Sequence, residues 1–233
     1  MREFLEELES DFPQVTTLYF LCSGGWDSTC MLMELHEHVR DKYDCHIVFN
    51  NTRLNPRKCV ETVNRLSRIT GFEIIELEPD RDHREIMREA FSSATLDRAR
   101  KLVEEKRYHK RVFRCCHYLK EKPLNDFLRA LPDRDSCVVL SGIKKVDGKQ
   151  RRIFLTQLTK AGTYFRYIKR RRVHFGYPLR DVTAKEVEEC INNLPFEVIH
   201  SGCNICPVLL LFDIREDEKR YAASVAFYNA VNG

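Results

Sequence analysis

The sequence predicts an α/β fold, a doubly wound and mostly parallel sheet with helices on both faces and a C-terminal elaboration. Three observations carry this. Four short β-rich runs, TTLYFLC, CHIVF, FEIIEL and SCVVL, are almost continuously apolar, the pattern of strands buried on both faces. Segments of helical spacing separate them, and strands alternating with helices imply βαβ units and a parallel sheet. No internal repeat, low-complexity tract or Pro/Gly/Ser linker interrupts the alternation, so residues 1–233 read as one domain, with a core over about 16–142 and an elaboration over 143–233.

Taken in order, Leu5 to Glu9 ends a short amphipathic helix and Thr16 to Cys22 forms the first strand. Ser28 to Val39 is a helix, with Met31, Leu32 and Leu35 at helical spacing, and Cys45 to Phe49 is the second strand. A helix over Arg57 to Thr70 is closed by Gly71, because glycine adopts the left-handed geometry that ends helices. Phe72 to Leu77 is the third strand, Arg84 to Arg107 is charged and mostly helical, and Tyr118 to Ala130 is a further helix. Ser136 to Leu140 is the fourth strand. Beyond it the periodicity weakens: Gly142 to Gly176 reads as a basic loop or hairpin region, and Thr183 to Leu194 as one more helix.

Composition bounds the function. Of 233 residues 43% are apolar and 32% charged, enough for a continuous core under a water-compatible surface. The longest apolar run, Pro207 to Phe212, is far short of the ~20 residues that span a bilayer. The start, MREFLEELESDF, is acidic and amphipathic, unlike a signal or transit peptide. A cytoplasmic protein without membrane contact is the expectation. Ten cysteines in a reducing compartment stay as thiols. Cys22, Cys30, Cys45, Cys137 and Cys190 sit in apolar patterns and read as small buried hydrophobes. The adjacent Cys115 and Cys116, and the Cys203-x-x-Cys206 before Pro207, do not fit that reading.

Ser23-Gly24-Gly25-Trp26-Asp27-Ser28 lies between the first strand and a helix start. Two glycines let the backbone turn tightly and approach a ligand, and N–H groups of the loop and helix N-terminus form an anion cradle. Ser23 and Ser28 hydroxyls can donate to phosphate oxygens. Asp27 can hold magnesium or cap the helix. The alternative is a plain turn with Asp27 or Ser28 as N-cap. Trp26 either stacks on a nucleotide or fills the core.

SGGWDS resembles the PP-loop, SGGxDS, of the ATP pyrophosphatase and adenine-nucleotide α-hydrolase-like superfamily. The resemblance implies a Rossmann-like fold in which the loop grips the pyrophosphate of ATP, with Mg²⁺, while AMP passes to a substrate. It makes Asp27 and Ser28 the catalytic candidates and Ser23 to Ser28 the nucleotide-binding ones. Asn50, Asn51 and Thr52 follow the second strand, where relatives contact adenosine, although they can equally form a turn.

The two cysteine pairs, 86 residues apart, supply the four thiolates that a [4Fe–4S] cluster or a tetrahedral zinc requires. Adjacent cysteines are awkward ligands for a single ion, which favours the cluster. The surrounding RCCHYLKEKPL, GYPLRDVTAKEVEECINN and SGCNICP resemble segments of the phosphoadenosine-phosphosulfate (PAPS) and adenosine-phosphosulfate (APS) reductase family, with Val182 where that family usually has Trp. Its iron–sulfur branch carries Cys-Cys and C-x-x-C at comparable separation, so the resemblance makes Cys115, Cys116, Cys203 and Cys206 the cluster ligands. The flanking His109 and His117 read as surface residues.

Two departures from that family stand out. Its C-terminal E-C-G-L-H nucleophile is missing, since no cysteine follows Cys206. Its G-x-R-x-x-E-S-x-x-R substrate element is matched by SGIKKVDGKQRR only through Gly142 and Arg151 or Arg152. The intact loop suits members that cleave ATP and transfer sulfur to tRNA or DNA. An APS or PAPS reductase whose cysteine comes from a partner, fed by a thioredoxin-like reductant, is the second hypothesis. A non-catalytic nucleotide-binding subunit is the third. The expected partners are an adenine nucleotide, a sulfur donor or reductant, and a second copy of the chain.

Charge adds one more feature. Lys144 to Arg172 holds eleven Lys and Arg against the single Asp147, a local +10 within a chain of net +4. FRYIKRRRVHF alternates aromatics with cations, a pattern that binds nucleic acid but also serves as a solvated face or a nucleotide-pocket lining.

Overall fold

The computed structural model describes residues 1–109 and 112–233. They divide into two compact units, one built from Met1–Phe49, Arg57–Glu76 and Leu128–Ser201, the other from Asn50–Pro56, Leu77–Phe127 and Gly202–Gly233. Residues 143–233 are therefore divided between both units.

The first unit carries a six-stranded sheet in the order β3-β2-β1-β4-β6-β5. Its strands are β1 (Thr17–Leu21), β2 (Asp44–Asn50), β3 (Glu73–Leu77), β4 (Cys137–Ser141), β5 (Phe165–Ile168) and β6 (Val173–Gly176). β1 runs parallel to β2 and β4, and β4 parallel to β6, while β5 returns antiparallel along the edge. β1, β2 and β4 form where apolar runs demand burial: Leu18, Phe20, Ile47, Val138 and Leu140 are fully shielded. Each such side chain contributes about 1.5–3 kcal/mol. β3 departs from the expected burial on both faces, since it lies at the sheet edge, exposes Glu73 and Glu76, and buries none of its residues completely.

Leu21 pairs with Val48 on one side and with Ser141 on the other, so the carboxyl ends of β1 and β4 lie level. Progression runs outward from β1 through β2 to β3 and then restarts at β4 on the opposite flank. That reversal makes the β1–β4 boundary a topological switch point, where α/β sheets open a crevice for ligands. α1 (Arg2–Asp11), α2 (Trp26–Val39), α3 (Arg57–Thr70) and α8 (Ala184–Asn192) belong to this unit. Gly71 ends α3 at φ +78°, and its N–H bonds the Ser67 carbonyl at 2.8 Å.

The expected loop after Gly142 is corrected in its first half: Lys149–Lys160 is a helix, α7. Its signal is weak because only Leu155 and Leu158 are buried, Ile153 stays about half exposed, and Gly148 starts it with no side-chain cap. The second half is a hairpin, β5–β6, whose turn spans Lys169 to Arg172.

The second unit is helical. It holds α4 (His83–Phe91), α5 (Ser93–Glu104), a π-helical turn (His117–Glu121) leading into α6 (Lys122–Ala130), α9 (Pro207–Leu211) and α10 (Glu218–Asn232). The helical stretch expected over 84–107 breaks at Ser92, which turns to ψ 144° and caps α5 by accepting from the Thr95 N–H. Ile86, Met87, Phe91, Leu96, Phe113 and Leu119 form its core. Phe91 meets Phe227 of α10 edge-on at 5.1 Å, and the Asn232 amide donates to the Phe91 carbonyl at 3.0 Å.

Candidate functional site

The glycine loop leaves β1 at the switch point and becomes the first turn of α2. Gly24 holds φ +70°, and a Cβ there would stand 2.1 Å from the Cys59 carbonyl oxygen. Only glycine lets the chain pass that close to α3. Gly25, in extended geometry, is the N-cap of α2 and offers no side-chain oxygen. Neither Asp27 nor Ser28 is the N-cap that the plain-turn alternative named; Gly25 takes that position. The first N–H groups of α2 are left for water or for an anion.

The Ser28 hydroxyl is buried and shapes the loop from within. It donates to the Gly25 carbonyl at 3.1 Å and accepts from the Ser23 N–H at 3.1 Å. The Ser23 hydroxyl, by contrast, reaches outward to Ser201 Oγ at 2.9 Å. Ser201 also packs on Gly25, where an added Cβ would stand 2.6 Å from its hydroxyl oxygen and 2.8 Å from its backbone nitrogen. Trp26 fixes this crossing segment. Its indole N–H donates to the Val198 carbonyl at 2.8 Å, and its ring stacks on His200 at 4.2 Å. Trp26 thus serves the wall of the loop.

Gly142, just past β4, approaches the loop from the other side: a Cβ there would lie 2.9 Å from the Asp27 carbonyl oxygen. Two residues on, Lys144 is buried and pairs its ammonium with Asp27, with Asp147 3.2 Å away. Asp147 in turn accepts from the Lys144 N–H at 2.8 Å and from the Arg151 guanidinium at 3.0 Å. The site thus gains a buried lysine that sequence reasoning passed over in favour of its neighbours. Arg151 reaches it only through Asp147, and Arg152 is exposed on the first turn of α7.

Asn51 and Thr52 belong to the second unit and build a turn there. Asn51 accepts from the Arg53 N–H at 2.9 Å, Thr52 donates its N–H and hydroxyl to Asn55 at 2.8 and 2.7 Å, and Arg53 sits at φ +60°.

All four expected ligand cysteines also fall in the second unit, contributed by two distant segments. Cys115 is buried, Cys203 and Cys206 are half-buried and Cys116 is exposed. The thiols share one neighbourhood. A hydrogen bond with Cys116, then burial, push the Cys115 thiol above its ordinary range, and Cys206 and Cys203 add to the effect. Burial raises Cys206 as well. The C-x-x-C loop is braced by α10: Arg220 donates to the Cys203 carbonyl at 2.9 Å, and the Cys206 N–H donates to the fully buried Ser224 hydroxyl at 3.0 Å. Pro207 then opens α9 at the first helical position, where its missing N–H costs nothing.

The donor chemistry fits a thiophilic metal centre, and the buried Tyr108 hydroxyl, which has no hydrogen-bond partner, lies near Cys206, Cys116 and Cys115. Among the described residues, however, no three His, Cys, Asp or Glu side chains are drawn together closely enough to coordinate an ion. His117 faces Glu121 at 3.4 Å on the surface, and His109 is exposed.

A family model for the phosphoadenosine phosphosulfate reductase domain matches residues 17–198, which includes the glycine loop and the first cysteine pair but stops before Cys203. No curated protein matches the chain. Among solved structures, the U34-tRNA thiolase NcsA from Methanococcus maripaludis with its [4Fe-4S] cluster superposes with a TM-score of 0.57 at 14% identity, over 99% of this chain and 77% of that one. The phosphoadenylyl-sulfate (PAPS) reductase from Candida auris, in a phosphate complex, gives a TM-score of 0.54 at 14% identity, over 84% of this chain and 80% of that one. At that identity both show a shared fold. No helix among the described residues is long and apolar enough to cross a membrane.

Proposed function

This chain belongs to the phosphoadenosine phosphosulfate reductase domain family, and from that premise we propose that it binds ATP at Ser23–Ser28 and activates an acceptor for sulfur transfer. An acceptor oxygen attacks the α-phosphorus, the bond to the β-phosphate breaks, and pyrophosphate leaves. A sulfur nucleophile then displaces AMP from the adenylated acceptor. The observation that carries the reading is the uncapped N-terminus of α2, opened by Gly25 at the switch point of the sheet. Its N–H groups suit the charge that develops on the phosphates.

Asp27 would hold Mg²⁺ in place of its ion pair with Lys144, and the lysine ammonium would then be free to meet a phosphate oxygen. Ser28 keeps the loop in shape, while Ser23 gives up Ser201 to donate to the nucleotide. Cys115, Cys116, Cys203 and Cys206 would hold a [4Fe–4S] cluster, with zinc as the alternative occupant. Bound there, the cluster would supply an iron site with affinity for sulfur.

The family match also supports a second reading, reduction of APS or PAPS with a partner's cysteine. Anaerobic assays separate the two. Pyrophosphate released from ATP in the presence of an RNA or DNA acceptor, and lost in Asp27→Ala, supports adenylation. Sulfite formed from APS or PAPS with a thioredoxin-like reductant supports the reductase. Nucleotide binding without either product would leave a non-catalytic subunit.

A further inference from the structure

At the end of the sheet away from the glycine loop, a histidine stands between two carboxylates. Asp44 opens β2 and pairs with Thr17, the first residue of β1, whereas the glycine loop leaves the carboxyl end of β1. Asp44 and His46 are two residues apart, so both side chains project from one face of β2. Glu73 opens β3, the neighbouring strand. All three residues belong to the sheet unit.

The His46 ring is held on three sides. Its Nε2 stands 3.0 Å from Asp44 Oδ2, its face stacks on Tyr19 at 5.5 Å, and its Nδ1 faces Glu73 Oε2 at 4.0 Å. A carboxylate only accepts, so Nε2 carries the proton of the bond to Asp44, and Nδ1 of the neutral ring is itself an acceptor. Nδ1 is buried and has no hydrogen-bond partner. Two acceptors therefore face each other across 4.0 Å. That is longer than a hydrogen bond and too short for a water bonded to both at about 2.8 Å. It matches a zinc ion, whose bonds to nitrogen and oxygen are each about 2.0–2.2 Å. The Glu73 side chain is 80% exposed, free to swing towards a tetrahedral angle.

We infer that His46 Nδ1 and Glu73 are the protein ligands of a zinc site, with Asp44 orienting the imidazole from behind. A ligating histidine commonly donates its other N–H to a carboxylate, which fixes the tautomer and raises its basicity. Imidazole beside carboxylate selects zinc over magnesium. Among the described residues no third ligating side chain joins them, so water completes the shell. The ion ties β2 to β3, the edge strand that buries none of its residues completely. The site uses none of the ten cysteines.

Ring-nitrogen NMR of the full chain, with His46 assigned from His46→Gln, reads this site whatever zinc the thiols take up. At about pH 8, above the ordinary histidine range, His46 should show the Nε2–H tautomer. Zinc chloride should shift Nδ1 while Nε2 keeps its proton, and magnesium chloride should shift neither. Asp44→Ala should raise the zinc concentration required by about tenfold or more. Glu73→Gln, a change on an exposed side chain, should abolish the Nδ1 shift without disturbing the fold. An Nδ1 that zinc leaves unmoved, or one that keeps a second proton in excess zinc, overturns the assignment. So does an undiminished Nδ1 shift in Glu73→Gln.

Discussion

Lys144 closes an ion pair on Asp27 across 117 residues of sequence, joining the segment after β4 to the first turn of α2. The lysine is buried while Asp27 is partly open, so the two partners differ in what their loss should do. Lys144→Met leaves Asp27 and Asp147 without their shared cation and should cost about 2 kcal/mol of stability. Asp27→Ala leaves Lys144 with Asp147 and should cost under about 1 kcal/mol. Urea denaturation measures both. Affinity for ATP–Mg²⁺ should nevertheless fall by about tenfold or more in Asp27→Ala, about 1.4 kcal/mol. Equal affinities for the parent and Asp27→Ala would remove Asp27 from the nucleotide site.

The two loop glycines should separate fold from binding. Gly24→Ala forces a Cβ against the Cys59 carbonyl at a left-handed φ and should lower stability by about 2 kcal/mol. Gly25→Ala keeps an accessible backbone geometry, but its Cβ would stand 2.6 Å from the Ser201 hydroxyl oxygen and 2.8 Å from its backbone nitrogen, so the chain at Ser201 has to move aside. It should lower Tm less than Gly24→Ala, which adds a left-handed φ to its clash, while ATP affinity drops, and the bulkier Gly25→Val should bind more weakly still. Calorimetric titration reads the affinities. A Gly25→Val protein that binds ATP like the parent would reduce the loop to a turn.

Acid should weaken the sheet unit through His174. Burial between Phe12 and Tyr167, each ring 4.9 Å away, lowers its pKa. The unfolded chain therefore takes up a proton more readily than the native one. The contribution of neutral His174 is complete above the unfolded value of about 6.5 and is lost as pH falls below it. His174→Phe should flatten that part of the stability–pH curve, followed by urea midpoints between pH 7.5 and 5 (roughly the range of histidine titration). An unchanged slope would place the dependence elsewhere.

Anaerobic reconstitution with iron and sulfide should give a brown protein with about four irons and four sulfides per chain. Replacing Cys115, Cys116, Cys203 or Cys206 with Ser should lower iron retention. A colourless protein with one stoichiometric zinc would keep the ligands and change the metal.

The β5–β6 hairpin presents Arg166, Tyr167, Lys169, Arg170 and Arg172 at the surface on the edge of the sheet. If about four cations meet duplex phosphates, binding should weaken with salt at a log–log slope near −3.6. Replacing Arg170, Arg171 and Arg172 with Ala should flatten it by roughly 2.7 and leave ATP affinity unchanged. Loss of ATP affinity instead would place these arginines at the nucleotide.

The first four strands lie within a residue or two of their apolar runs, and α3 ends at Gly71 as its spacing predicts, because burial and left-handed backbone geometry are local signals. The glycine loop was legible for the same reason. Lys144 was not, since what distinguishes it is a partner far away in sequence. Arg220 and Ser224, which brace the C-x-x-C loop, lie on α10, whose sequence shows no apolar stripe and buries only Ser224 completely. Sequence patterning reports what each element buries, whereas the identity of its partner emerges only from the fold.

The helical unit draws on Asn50–Pro56, Leu77–Phe127 and Gly202–Gly233, and this has a consequence during translation. Phe91 and the apolar faces of α4 and α5 leave the ribosome well before Phe227, the residue that covers Phe91. At about 5–20 residues per second, the stretch from Phe127 to Phe227 takes on the order of 5–20 s to synthesise. Throughout that interval Cys115 and Cys116 lack the second cysteine pair, and the nascent core lacks its last helix. A ribosome-bound chain halted near Ser201 should therefore carry a completed set of sheet strands and an open, sticky helical half that engages chaperones.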